Sequence, residues 1–266
     1  MNYAVLPYPY EGSSTGRSAS PSAAMLLAEG RAVFEFGAGL ALWPLLQLAP
    51  QGDGHPVLVL PGFLAGNAST LVLRRYLRSV GYDAQGWRLG VNLGYRQKLI
   101  SGMLAQLEEL SRDSQRKVSI VGWSLGGVYA RLLAARHPEL VRSVITLGSP
   151  ISGGPDASNA KGIYQTLNGR RMADSSVKKL VAQSLEMPAT SIYSRSDGVV
   201  FWRASVIPVR SKSENIEVHG THIGLGGNPA VLYAAADRLS QPEGAWAPFR
   251  GSGLAAIAFP DPARPA

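Results

Sequence analysis

The chain has 266 residues, 45% of them hydrophobic, enough for one sizeable core without requiring a second domain. It contains no cysteine, which excludes disulfide frameworks, thiolate metal sites and cysteine nucleophiles and leaves the redox compartment open. The formal charge of +8 arises from scattered residues, with Arg74, Arg75 and Arg78 on a predicted helix beside Leu71 and Leu73, and Arg170 and Arg171 elsewhere. That spacing describes a solvated basic surface and no nucleic-acid site, although it would favour acidic lipid surfaces.

Residues 1–22 are polar, rich in Ser, Gly and Pro, and lack the basic start and apolar stretch of a secretory signal, so they read as a flexible arm and the expected location is cytoplasmic. An apolar helical segment follows at 23–52. Between Ala23 and Leu48 it is interrupted by Glu29, Arg31 and Glu35 and weakened by Gly37, Gly39 and Pro44, which argues against a membrane-spanning helix. Arg31 and Glu35, four residues apart, are expected to pair on one helical face, leaving the leucines, Phe34, Phe36 and Trp43 for burial. Two readings stand: a helix docked over the core, or a contact with a membrane surface or a second copy.

From residue 53 to 240, short apolar runs alternate with longer helical patterns, as in a parallel sheet with crossover helices. Strands are expected at Pro56–Leu60, Asp83–Trp87, Val118–Val121, Val144–Leu147, Thr190–Tyr193 and Asn215–Val218. Helices are expected at Thr70–Val80, Leu99–Leu110, Leu125–Arg136 and Ala230–Leu239, the last opened by Asn228 and Pro229. Residues 151–188 break this rhythm and read as an insertion, helical around Val177 to Ser184. It is either a lid exposing Ile163, Tyr164, Leu167, Leu180 and Val181 to an acyl chain or a plain cap. The tail at 241–266 is proline-rich, with Trp246, Phe249 and Phe259 as anchors onto the core.

The chemistry concentrates in Gly122-Trp123-Ser124-Leu125-Gly126, between a predicted strand and a predicted helix. A serine on such a turn needs small residues two positions to either side, and its hydroxyl is pushed out above the sheet. The Leu125 amide, at the start of the helix, is then placed to stabilise an oxyanion beside Ser124. A serine hydroxyl needs a base, and of the four histidines His222, past the last strand in His219-Gly220-Thr221-His222, is preferred over His219. His55 precedes the first strand and His137 closes a helix, so neither easily reaches Ser124. The base needs a carboxylate one strand earlier, which Asp197 supplies before Gly198. Leu60-Pro61-Gly62-Phe63 offers the Phe63 amide as a second oxyanion donor. Trp123 either walls the pocket or packs beneath the turn, and with Val199, Val200 and Phe201 it is assigned to substrate binding.

Pro61-Gly62-Phe63, the Gly-Trp-Ser-Leu-Gly-Gly run at 122–127, Ser196-Asp197-Gly198 and Gly220-Thr221-His222 together resemble the α/β-hydrolase superfamily, in particular its compact bacterial esterase and triacylglycerol-lipase-like members, over about residues 53–240. The resemblance implies an α/β fold with a mostly parallel sheet of about six strands, helices on both faces, a lid between strands, and neither metal nor cofactor. Pro61 stands where many lipases carry histidine, and Trp123 where a histidine or acidic residue is more usual. The implied reaction is hydrolysis of a carboxylic ester through an acyl-enzyme. A thioesterase, acyltransferase or polyester depolymerase with the same triad, or a non-catalytic lipid- or partner-binding protein, are the alternatives. The expected partner is a small-molecule ester or lipid substrate, with peripheral lipid-surface contact as a further reading.

Overall fold

The computed structural model describes residues 20–152, 157–160, 175–251 and 258–260. Most of the arm at 1–22, the insertion residues Ile163, Tyr164 and Leu167, and most of the tail beyond 251 lie outside the described residues.

Six strands form, each overlapping an expected run, though β4 starts three residues early and β6 is shifted toward its amino end: β1 Pro56–Leu60, β2 Asp83–Gly86, β3 Val118–Trp123, β4 Val141–Leu147, β5 Ala189–Tyr193 and β6 Ser213–Glu217. They make one sheet in the order β2-β1-β3-β4-β5-β6, and every neighbouring pair is parallel. Parallel neighbours require crossovers, supplied here by α4 (Leu71–Ser79), α5 (Gln97–Ser114), α6 (Leu125–Arg136) and α7 (Ser175–Ala182). A short α8 (Trp202–Ser205) precedes β6, and α9 (Pro229–Leu239) follows it. Asn228 caps α9 by accepting from the Ala230 and Val231 amides.

Strand alternation divides the core between the two faces. Val57 and Val59 of β1 pack with Leu73 and Leu77 of α4 and Leu232 of α9, whereas Leu58 and Leu60 pack with Met103 and Leu107 of α5 and Leu133 of α6. The central strands β1 and β3 are therefore buried throughout, which is why their sequences read as continuous apolar runs. The chain leaves β1 toward one edge and returns past it to β3, so the crossover direction reverses between these two strands. In parallel α/β sheets the crevice beyond their carboxyl ends is where ligands bind.

The N-terminal segment forms α1 (Ala23–Leu27), a 3₁₀ turn (Ala28–Arg31), α2 (Ala32–Ala41) and α3 (Trp43–Leu46), with α2 docked against α9 and the turn before it. Its orientation meets the expectation from amphipathicity only in part: Phe36 and Trp43 pack against the core, as expected, but Phe34 and most of the leucines do not. Glu29, Ala32, Gly39 and Leu46 are buried, while Leu27, Phe34 and Leu48 are 85%, 77% and 80% exposed. Among the described residues Arg31 and Glu35 do not pair: the Arg31 Nε donates to the Ala28 carbonyl at 3.1 Å, and Glu35 accepts from the Thr221 amide and Asn228 Nδ2. The physical reason is that buried backbone N–H groups on the core need acceptors, and this demand decides which face turns inward. Among the described residues no helix is long and apolar enough to cross a membrane.

Candidate active site

β3 ends at Trp123 and α6 begins at Leu125, so Ser124 alone turns the chain, with φ 53° and ψ −120°. Few residues other than glycine adopt this backbone, and it persists only where surrounding structure imposes it. Here the Ser124 amide donates to the Leu147 carbonyl at the end of β4 (2.8 Å), and its own carbonyl accepts from Gly127 N (3.0 Å). A Cβ on Gly126 would overlap the Leu60 carbonyl, and one on Gly122 would overlap the backbone of Gly126 and Gly127, so both flanking glycines are required by close approach. The turn leaves Ser124 partly exposed at the carboxyl edge of the sheet, at the head of a helix whose first amides, Leu125 among them, have no intrahelical acceptors.

The loop after β1 adjoins this point. A Cβ on Gly62 would lie 3.2 Å from the Ser124 Cβ and 3.9 Å from its Oγ, which sets the Pro61-Gly62-Phe63 turn against the serine. Asn92, fully buried and not singled out from sequence, clasps that turn. Its Nδ2 donates to the Pro61 carbonyl (3.0 Å), its carbonyl accepts from Leu64 N (2.8 Å) and its amide donates to the Ala65 carbonyl (2.8 Å). The one signal for it was an asparagine in Gly90-Val91-Asn92-Leu93-Gly94, where no periodicity indicates burial.

Asp197 and His222 are 3% and 6% exposed and joined by a 2.6 Å hydrogen bond from Nδ1 to Oδ2. The other carboxylate oxygen, Oδ1, accepts from Val199 N (2.9 Å) and Val200 N (2.7 Å), so the acid is held from both sides. Ser194 and Ser196 tie the acid loop to the base loop by donating to the Gly220 carbonyl. The pair sits over Gly148 just past the end of β4, where an added Cβ would come within 3.0 Å of both side chains, and β4 neighbours β3, the strand that precedes Ser124. Burial works to lower the pKa of His222, but the charge and hydrogen bond of Asp197, with the charge of Glu29, outweigh it and leave the imidazole above its ordinary value. Among the described residues no hydrogen bond joins Ser124 Oγ to His222. Asp197 and His222 are thus paired, and the Ser124 hydroxyl stands at the adjacent strand end.

Trp123 takes the supporting one of its two expected positions: its Nε1 donates to the His222 carbonyl at 3.1 Å and its ring lies against Gly226. Val199 and Val200 hold Asp197 through their amides. The assignment of Val200 to the substrate pocket needs correction, because its side chain is 1% exposed, packed with Ala157 and Ala204 and flanked by Val199 and Phe201. At the far end of the insertion, buried Arg131 of α6 donates to the Val181 and Gln183 carbonyls at 2.5 Å, fixing the last turn of α7 to the core.

The other histidines are accounted for elsewhere. His219 is exposed beside a groove of about 610 Å³ lined by Phe34, Leu45 and Tyr233, and His137 pairs with Glu139. His55 makes a continuous Asp-His-Ser hydrogen-bonded chain, to Asp53 at 2.5 Å and to Ser119 Oγ at 2.9 Å, but at the amino end of the sheet, where His55 and Ser119 have no exposed surface. Ser119 lies inside β3 with no strained turn, and burial, partly offset by Asp53, lowers the His55 pKa. Replacing Ser119 by alanine is therefore expected to lower stability by about 1–3 kcal/mol, since His55 Nε2 loses its buried partner, and to leave any turnover unchanged. Chemical denaturation and initial rates check both halves.

A parallel sheet in this strand order, with a strained serine turn after the third strand and a hydrogen-bonded Asp-His pair beyond the fifth and sixth, is the α/β-hydrolase fold. The model of the α/β-hydrolase-fold family matches residues 94–196, a stretch that includes Ser124 and stops before Asp197. Among solved structures, an α/β superfamily hydrolase from Oenococcus oeni matches with a TM-score of 0.51 at 15% identity, over 70% of this chain and 91% of that one. A Bacillus licheniformis lipase matches with a TM-score of 0.50 at 17% identity, over 73% of this chain and 94% of that one. A biotin biosynthesis bifunctional protein of Teredinibacter turnerae is 40% identical over 57 residues, which is 21% of this chain and 10% of that protein.

Proposed function

We propose that this chain is a serine hydrolase that cleaves carboxylic esters by two-step acyl transfer. The observation that carries this reading is the buried Asp197–His222 hydrogen bond, at 2.6 Å, over the strand end next to the strained turn of Ser124. Ser124 Oγ attacks the ester carbonyl while His222 Nε2 takes its proton, and the oxyanion that forms is met by the Leu125 amide and by the turn carrying Phe63. Collapse of this intermediate breaks the bond to the alcohol, which leaves with the proton from His222. Water then repeats the sequence on the acyl-serine, returning the acid and the free hydroxyl.

Fluorophosphonate labelling followed by peptide mapping tests the assignment: the adduct is expected on Ser124, and an adduct on another serine overturns it. A panel of nitrophenyl esters of increasing chain length, run beside thioesters, separates ester hydrolysis from the alternatives that share the triad. The base must be neutral to accept a proton, so kcat/KM is expected to rise with pH along a limb centred above the ordinary imidazole value of 6.5. A pH–rate profile centred below that value would contradict the electrostatics described here.

A further inference from the structure

We infer that Glu29, in the 3₁₀ turn of the N-terminal segment, is a positioning residue for this reaction, buckling the loop that carries the acid to the loop that carries the base. The inference rests on the serine-hydrolase reading for its catalytic meaning, but the contacts stand on their own. Glu29 is 4% exposed. Its Oε1 accepts from Gly198 N, next to the acid, at 2.7 Å and from the amide of His222 itself at 2.9 Å, and its Oε2 accepts from Ile223 N at 2.8 Å. Helix α1 passes so close beneath the acid loop that a Cβ on Gly198 would overlap the Met25 carbonyl.

The chemistry explains why a carboxylate stands there. The base loop has no strand to receive its amides, and three N–H groups, those of Gly198 and His222 buried and that of Ile223 partly so, converge on one side chain from two loops distant in sequence. A carboxylate meets all three, with no donor of its own, and charge-assisted bonds of this kind are about twice as strong as neutral ones. Glu35 repeats the device one step earlier: its Oε1 accepts from Thr221 N at 2.7 Å and its Oε2 from Asn228 Nδ2 at 2.8 Å. Three successive amides of the base loop, at Thr221, His222 and Ile223, are thus received by two carboxylates of one N-terminal segment. The orientation of the imidazole is set by its ring partner, Asp197, and its position by Glu29, whose negative charge also favours the protonated ring.

Glu29→Gln in the full chain tests this, because the isosteric amide keeps the volume, removes the charge and sets an N–H₂ group against at least one of the three amides. Leu27→Ala, on the exposed face of the same segment, is the control. The expected result for Glu29→Gln is a fall in kcat/KM per titrated active site of roughly ten- to a hundredfold, mostly in kcat, as expected for a misplaced base. The acid limb also moves to lower pH, since of the carboxylates around His222 (Asp197 on its ring, Glu29 on its amide, Glu35 on Thr221) one has lost its charge. Glu29→Asp, which keeps the charge but shortens the reach, is expected to lose rate with less movement of the limb, and it serves if the Gln variant fails to fold. Titration of the His222 imidazole by NMR reads the same coupling without turnover. A chain that labels at Ser124 but whose Glu29 variants keep the wild-type rate per site and an unmoved His222 titration overturns the inference. So does a rate loss explained wholly by a smaller folded fraction. A wild-type chain that neither labels nor hydrolyses any ester overturns the serine-hydrolase reading instead, and the NMR titration then decides whether Glu29 holds the imidazole.

Discussion

Replacing Ser124 by alanine is expected to lower the proposed ester hydrolysis by roughly 10⁴-fold or more, since on the serine-hydrolase reading it removes the nucleophile and leaves only the oxyanion donors and binding to act. Fluorophosphonate labelling should disappear with it. The fold should survive, because alanine carries the same Cβ through the same backbone at φ 53° and the contacts holding the turn, from Leu147 and Gly127, are made by main-chain atoms. Glycine at this position separates the strain from the chemistry. It adopts φ > 0 without penalty, so Ser124→Gly is expected to be as inactive as the alanine variant and more stable than it by about 1 kcal/mol. Initial rates, labelling and denaturation of both variants give the comparison. An alanine variant that still labels at the wild-type rate would place the nucleophile elsewhere.

Most of the sheet and the serine turn were legible from residues alone, for physical reasons that also mark where reading stops. The strand runs showed because β1 and β3 are buried on both faces and admit only apolar residues, whereas the shorter edge strand β2 ends at Gly86 instead of the expected Trp87. Helix α6 matched its expected bounds because the serine turn fixes its start and His137-Pro138 its end. The pairing of Asp197 with His222 is legible because chain order and strand ends constrain which carboxylate and which imidazole can meet beyond the sheet. Glu29 and Asn92 are not, because each acts on backbone groups that meet only after the sheet has closed, and no local pattern announces such a meeting. The orientation of the N-terminal segment is only partly legible for the same reason. Its apolar periodicity suggests burying the leucines, Phe34, Phe36 and Trp43; Phe36 and Trp43 do pack on the core, but the demand of the Thr221–Ile223 amides for acceptors turns the carboxylates inward and leaves Phe34 and most of the leucines in solvent.

Asp197→Asn is expected to lower kcat by roughly 10⁴-fold, the loss associated with a histidine held in the wrong tautomer. The surroundings of this carboxylate dictate that outcome. Oδ1 accepts from two amides, Val199 N and Val200 N, and Oδ2 accepts from His222 Nδ1. An asparagine must keep its oxygen toward the two amides, since turning its NH₂ group to them would oppose three donors to one another. The NH₂ group then faces Nδ1, which becomes an acceptor, and the ring proton moves to Nε2, the nitrogen proposed to take the proton of Ser124. The side chain is nearly isosteric and its two backbone bonds persist, so the folded fraction should change far less than the rate. The loss is thus predicted to be tautomeric, and NMR of the imidazole nitrogens should show the proton on Nε2 in the variant and on Nδ1 in the wild type at pH values where the ring is neutral. A variant with near wild-type kcat, or with its ring proton still on Nδ1, would show that another group orients the base.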